Sequence, residues 1–373
     1  MIKNNWNMGL VIGSLAIVAL IAAVAGFSLQ QSQFDESTVK VGVVIPMTGD
    51  AAVYGEEIRR GLELASEDLG SDKPEIIYED ACLANEAMKT AQKLVLADGV
   101  DMITGVFCIP SVNAITPLTK EKNMSVMMTA SVPESLVDLN AHVFSPNSAI
   151  KDEAYAQAEY AFEKLGARTA SIVWMNSDFG SSYSKNFQKR FVTLGGKVVS
   201  NEPLEFFGAD YKSELSKAKS HNPDVLLAVH FGTQMGLILK QSQEIGLDAR
   251  IIGTYESEDQ FIIDSAKGGA EGLILSSPIG GKTGALYQRF GETYRARYGK
   301  DPAPISRIAY DGLMLQMNAY KECAKENNCI NSHILGTKNH DGASGVFDMA
   351  LDGTGKRTFV FKTVKDGKYV LVD

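Results

Sequence analysis

From Val39 onward, short apolar runs alternate with segments whose apolar residues recur every three or four positions. Val39–Pro46 (VKVGVVIP) predicts a buried strand, and Gly55–Leu69 follows with Ile58, Leu62, Ala65 and Leu69 at helical spacing. Strand Glu75–Glu79, helix Ala84–Ala97, strand Asp101–Phe107, helix Ser111–Lys122 and strand Ser125–Thr129 continue the alternation. That β-α-β-α-β-α-β order predicts a parallel sheet covered on both faces. The pattern restarts after Ser145-Pro146-Asn147. Helices at 151–165, 181–194, 211–220, 232–245 and 259–266 then interleave with strands at 169–174, 197–200, 224–229, 250–253 and 272–276. Two more helices, 285–298 and 305–325, lead to a β-rich end. There Arg357–Val364 and Lys368–Val372 flank Lys365-Asp366-Gly367, a hairpin signature. With no sheet of its own, this hairpin is expected to join the edge of an earlier one. The chain then passes between the two halves more than once, which suits a hinge.

The first residues have a different character. Lys3 precedes an apolar run, Met8 to Phe27, that carries no charge and is long enough to cross a bilayer core. It contains Ala23-Val24-Ala25, a small-x-small pattern that a signal peptidase could cut before Gly26. A cleaved signal peptide and a retained anchor both fit, and either places the globular part outside the cytoplasm. Gln30–Thr38 is polar and reads as a tether. A lipoprotein is not expected, because the first cysteine is Cys82.

The four cysteines fall into two sequence-near pairs, Cys82 with Cys108 and Cys323 with Cys329. In an oxidising compartment they read as two disulfides, with three connectivities formally open and the local one preferred. The 373 residues suffice for two domains with real cores. Acidic residues outnumber basic ones, 45 to 36, for a net charge of −9. No basic face for nucleic acid is therefore expected.

Catalytic patterns fail on inspection. Gly280-Gly281-Lys282-Thr283 resembles the end of a phosphate loop, but the earlier glycine that motif needs is replaced by Ser276. Asp178-Phe179-Gly180 lacks every companion kinase motif, and no G-x-S-x-G occurs. His333 and His340 face no carboxylate cluster, and Asp348 and Asp352 lack calcium-loop spacing. No enzyme, metal or organic cofactor is expected. What stands out are polar and aromatic residues just after the predicted strands, where open α/β sheets bind ligands. These are Pro46–Tyr54, Phe107–Ser111, Thr129–Ser131, Asn176–Phe179, His230–Phe231 and Tyr255–Glu256, three segments from each half.

The chain from Val39 onward resembles the periplasmic Leu/Ile/Val-binding proteins, the amino-acid receptors of ABC importers. The likeness is carried by Lys40-Val41-Gly42-Val43-Val44-Ile45-Pro46-Met47-Thr48-Gly49, Tyr54-Gly55 and Gly61. Glu79-Asp80-Ala81-Cys82 and Gly105-Val106-Phe107-Cys108 add to it and match segments that contribute a disulfide in that family. Asp178-Phe179-Gly180, Asp210-Tyr211 and Phe347-Asp348 complete it. The resemblance implies an α/β fold of two Rossmann-like lobes with parallel-type sheets, a three-strand hinge and closure on a small ligand. On this reading residues 38–146 and 277–340 form lobe 1, and 147–276 and 341–373 form lobe 2.

It further implies that Tyr54, Ile109, Ser111, Ala130 and Ser131 hold the ligand from the first lobe, the hydroxyls taking a carboxylate. Phe179, Phe231, Tyr255 and Glu256 would wall it from the second. The family's serine after the loop cysteine is Ile109 here. Its two ammonium-binding tyrosines are Phe179 and Phe231, and its glutamate falls at Tyr255 or, one residue on, at Glu256. Phenylalanine offers only a π-face to a cation. The expected function is an extracytoplasmic, monomeric solute-binding protein that takes an amino acid or related small carboxylate and hands it to a membrane permease; a hydrophobic or aromatic carboxylate, or an amine held by Glu256 and aromatic faces, fits the altered clamp as well. The alternative is a membrane-tethered sensor of the same fold that signals through a partner.

Overall fold

Val41, Val43, Val44 and Ile45 are fully buried in strand β1 (Lys40–Ile45), because the sheet around it is covered on both faces. A computed structural model describes residues 38–137 and 142–372. The leader and tether expected over residues 1–37 lie outside the described residues, and among these no helix is long and apolar enough to cross a membrane. Around β1 the chain adds α1 (Ala52–Asp68), β2 (Glu75–Asp80), α2 (Ala84–Gln92), β3 (Met102–Val106), α3 (Ile109–Glu121), β4 (Val126–Met128), the short α4 (Glu134–Val137) and β5 (Val143–Phe144). The first sheet is parallel throughout, in the order β2-β1-β3-β4-β5, with Val41 opposite Met102 and Val126 opposite Val143.

The second lobe repeats the scheme. It comprises α5 (Ile150–Glu159), β6 (Thr169–Met175), α6 (Asp178–Thr193), β7 (Lys197–Leu204), α7 (Lys212–Ser220), β8 (Val225–Val229), α8 (Gly232–Glu244), β9 (Arg250–Gly253), α9 (Gln260–Ser265) and β10 (Ile274–Ser277). These strands run parallel in the order β7-β6-β8-β9-β10.

The chain then returns to the first sheet with α10 (Ala285–Tyr298) and α11 (Pro304–Glu322). Helix α11 lies tightly against α1, because Gly61 has no side chain; a Cβ there would sit 2.0 Å from the Ser306 carbonyl oxygen. The Gln316 amide reaches under the sheet to the Ile103 carbonyl at 3.0 Å. Helix α12 (Asn327–Leu335) follows where the sequence predicts no element. Its first turn is asparagine-rich and a poor helix former, but the Glu326 carboxylate caps it by accepting from the Asn328 and Cys329 N–H groups at 3.0 and 2.6 Å. The structure pairs Cys82 with Cys108 and Cys323 with Cys329, the local connectivity.

Strands β11 (His340–Gly342), β12 (Gly345–Met349) and β13 (Gly355–Lys356) make a small antiparallel sheet that the sequence pattern does not announce. It packs beside α10 and α11, where the buried Asp311 carboxylate accepts from the Ala343 and Ser344 N–H groups at 2.6 and 2.9 Å. Residues 340–356 thus sit on the first-lobe side, whereas the sequence reading groups 341–373 with the second. Only the hairpin β14 (Val360–Lys365) and β15 (Lys368–Leu371) joins the second sheet, with β14 antiparallel to β10 at its edge. Its turn residues, Asp366 and Gly367, both have positive φ (51° and 70°), as a tight two-residue hairpin turn requires.

Three strands of chain connect the lobes, and Arg357 ties them together. Lying on the third, its buried guanidinium donates to the Pro146 carbonyl of the first, to the Pro278 carbonyl of the second at 3.5 Å, and to the Ser344 hydroxyl at 3.0 Å. The Phe347 ring covers it at 4.4 Å.

Candidate functional site

In both sheets the strand order reverses next to the first strand, between β1 and β3 in one and between β6 and β8 in the other. Such switch points leave a crevice at the strands' carboxyl ends. The two crevices face one another across a cavity of about 580 Å³. Lobe 1 lines it with Cys82–Ala84 after β2, Phe107–Pro110 after β3 and Ala130 after β4. Lobe 2 contributes Met175–Phe179 after β6, Phe206 and Phe207 after β7, Phe231 after β8 and Glu256 after β9. Gly180 lets α6 start directly beneath this wall; a Cβ there would meet the Met175 carbonyl oxygen at 2.0 Å.

Phe231 is the hub of an aromatic wall. Its ring meets Phe107 at 5.7 Å, Phe206 at 6.0 Å, Phe179 at 6.2 Å and Tyr54 at 5.6 Å, all edge to face. This is the arrangement that ring quadrupoles favour. Of the expected ligand residues, Ile109, Ala130, Phe179, Phe231 and Glu256 line the cavity.

Tyr54, Ser111, Ser131 and Tyr255 do not line it, because protein groups already occupy their hydroxyls. Tyr54 stacks on Phe107 at 4.9 Å and crosses to the other lobe, where its Oη donates to the Glu256 carbonyl at 3.0 Å and accepts from the Gly232 N–H at 2.8 Å. From the opposite side, the Tyr255 Oη donates to the Thr129 carbonyl at 3.1 Å. Ser111 turns under α3 towards the Ala81 carbonyl at 3.5 Å. Ser131 joins a buried network with Asn147, Tyr183 and Glu153.

That network holds Glu153, and the buried Glu256 lies in the same wall. Glu153 accepts from the Tyr183 Oη and the Ser276 Oγ, both at 2.6 Å, and from the Tyr255 N–H at 3.1 Å. Burial raises its pKa, and these donors pull it part of the way back. Glu256 is only 4% exposed, and among the described residues neither of its carboxylate oxygens has a hydrogen-bond partner. Burial first, and then the charge of Glu153, hold its carboxyl well above the ordinary range. Thr254 and Ser131 lie near enough to ease its ionisation slightly, yet neither makes a bond to it. Behind Phe231, burial depresses the His230 pKa to about 4, so this imidazole stays neutral.

Sequence reasoning misses the Cys82–Ala84 rim and the pair Phe206 and Phe207. The sequence pattern ends β7 at Ser200, which leaves the two rings away from a strand's carboxyl end. It runs on to Leu204 through Pro203, which is tolerated because β7 is the sheet's edge strand.

Two parallel α/β sheets, a triple hinge and a cavity between their carboxyl ends define a two-lobed ligand-binding protein. The chain belongs to the periplasmic binding protein family, whose model matches residues 38–368. It is 24% identical over 291 residues to a leucine-, isoleucine-, valine-, threonine- and alanine-binding protein of Pseudomonas aeruginosa, covering 76% of this chain and 77% of that one. Among solved structures it is similar to a leucine-binding protein of Thermotoga maritima (TM-score 0.84, 24% identity, 90% of this chain and 98% of that one). It is also similar to a Rhodopseudomonas palustris solute-binding protein in complex with benzoate (TM-score 0.83, 20% identity, 90% of this chain and 96% of that one).

Proposed function

We propose that this protein is an extracytoplasmic solute-binding receptor of an ABC importer, whose lobes close on a small organic solute and present it to a membrane permease. The observation that carries this reading is the cavity itself. It is assembled from the carboxyl ends of strands in both lobes, and its volume lies in the ordinary range for small-molecule sites. A solute touching Phe107 and Ala130 on one side and Phe179, Phe231 and Glu256 on the other stabilises the closed arrangement through contacts the open one lacks. Phenylalanine walls select a ligand with a bulky apolar part. The lobes divide at Pro146, Pro278 and Arg357, so that residues 38–146 and 279–356 move as one body and 147–277 with 358–372 as the other.

The test is a thermal-shift screen of the protein against amino acids, aromatic and aliphatic carboxylates, and amines. A true ligand at about 100 times its Kd stabilises by about 2.7 kcal/mol. If no member of the panel raises the melting temperature, the receptor reading fails.

A further inference from the structure

The cavity holds a buried acid and nothing of opposite charge to meet it. Its charged lining residues are Glu256 in the depth and Asp178 at the mouth; among the described residues no lysine, arginine or histidine lines it. Both Glu256 oxygens are unpartnered although the residue is almost wholly buried. A protein retains such a group at a cost, because an unpaired buried carboxyl forfeits its hydration without return. The faces beside it belong to phenylalanines, whose π-clouds attract cations.

The first lobe, by contrast, offers a ligand carboxylate no charged side chain at the cavity, only backbone N–H groups and Asn113. Helix α3 opens with Ile109 and Pro110, and Pro110 has no N–H to offer. The Ser111 N–H is donated to the Cys108 carbonyl at 3.0 Å. The Ser111 and Ser131 hydroxyls are turned into the protein. Among the described residues of lobe 1 that line the cavity, the exposed Asn113 is the one with a side-chain donor for an anion.

We infer that the ligand is an organic cation, an amine with a bulky apolar or aromatic group, seated with its ammonium on Glu256 among the phenylalanine rings, and that it needs no carboxylate. This rests on the receptor reading above and specifies its ligand. Burial, with the charge of Glu153, raises the Glu256 carboxyl to about 8, so a cationic ligand that pairs with it near neutral pH expels a proton as it binds. Of the groups facing Glu256, Glu153 on α5 is also raised, by burial, to about 7 although three close donors hold it, so the Glu256→Gln variant assigns the released proton. The phenols of Tyr54 on α1, Tyr183 on α6 and the adjacent Tyr255 are pushed upward by burial and by these carboxylates, and stay neutral. Arg357 approaches Tyr255 and is engaged by the hinge carbonyls.

The test uses two series that differ only in charge, measured by titration calorimetry on the whole protein. The aromatic series is 2-phenylethylamine, phenylalanine and 3-phenylpropanoate; the aliphatic one is 3-methylbutylamine, leucine and 4-methylpentanoate. The expected result is that an amine binds and releases about one proton near neutral pH, seen as a heat that depends on the buffer's ionisation enthalpy. Its Kd rises up to tenfold for each pH unit below the Glu256 pKa of about 8. Glu256→Gln, checked for folding by thermal melting, weakens the amine about tenfold or more.

The cation is overturned if either carboxylate binds at least as tightly as its amine. It is also overturned if the amino acids bind while both amines fail, or if Glu256→Gln keeps full amine affinity. In those cases the receptor reading stands. If none of the six binds but another carboxylate from the screen does, the cation again falls and the receptor remains. If nothing in the screen binds a folded protein, the receptor reading itself falls and the inference with it.

Discussion

Tyr54→Phe tests whether the bonds across the cleft set the closing equilibrium. The substitution keeps the ring that stacks on Phe107 at 4.9 Å and removes only the oxygen. That oxygen makes two bonds to the other lobe, to the Glu256 carbonyl at 3.0 Å and from the Gly232 N–H at 2.8 Å. At about 0.5–1.5 kcal/mol each, their loss costs the closed state about 1–3 kcal/mol. The open state is spared, since separating the lobes exposes the same backbone groups to water. Ligand affinity should therefore fall about 5- to 150-fold. The melting temperature of each lobe's core, which Tyr54 does not fill, should move far less. Calorimetry of the ligand identified by screening gives the affinity, and distances between spin labels on α1 and α8 give the open fraction. An affinity within twofold of the parent, with an unchanged distance distribution, would refute the view that Tyr54 latches the lobes.

Arg357→Met removes the group that binds the hinge strands to one another and leaves the Pro146 and Pro278 carbonyls unpaired. We expect a loss of about 1–3 kcal/mol by denaturant unfolding, with Arg357→Lys recovering only part because a lysine cannot bridge several carbonyls at once. Replacing Cys82 and Cys108 together with serine opens a loop spanning 26 residues, and unfolding should show a loss of about 3 kcal/mol. The pH dependence follows from the two raised carboxyls. Because Glu153 and Glu256 bind protons more tightly folded than unfolded, their contribution is fully present below about pH 4.5. It is lost as pH rises through their folded values, about 7 and about 8. Stability of the ligand-free protein should therefore decline across that window, and Glu256→Gln should flatten the decline; a profile that is the same in the variant would count against Glu256 as a titrating group.

The fold is legible because parallel strands buried on both faces must be apolar throughout. Val41–Ile45 and Val225–Val229 carry that signal whatever surrounds them. Element ends that depend on tertiary partners are less visible. Helix α12 needs the Glu326 carboxylate as its cap, and β7 continues through Pro203 only because no strand lies beyond it. The small sheet β11–β13 leans on Asp311, which lies 32 residues before Ala343, and local sequence contains no sign of that support. The site divides in the same way. Position after a strand says that a residue is near the cleft, but not which way its side chain turns. Ile109, Ala130, Phe179, Phe231 and Glu256 face the cavity, whereas the hydroxyls of Tyr54, Ser111, Ser131 and Tyr255 find buried partners first. An apolar ring can remain at a cavity wall without penalty, while a buried hydroxyl must bond somewhere.

That asymmetry explains why the cavity is so apolar and why its one deep polar group matters. Each hydroxyl recruited to join the lobes or to satisfy Glu153 is withdrawn from the cavity, so in the proposed receptor specificity rests on ring shape and on Glu256. Local rules that serve folding would replace a buried, unpartnered carboxyl with a neutral side chain, and its presence is a departure of the kind that functional sites make. Glu153 shows the alternative within the same wall: an equally buried carboxyl surrounded by Tyr183, Ser276 and the Tyr255 N–H, and so already satisfied without a ligand. Of two neighbouring acids, the protein has completed the surroundings of one and left the other open to the cavity. Completion of the second then falls to whatever the lobes enclose, and the free energy released by pairing it is available to hold them closed.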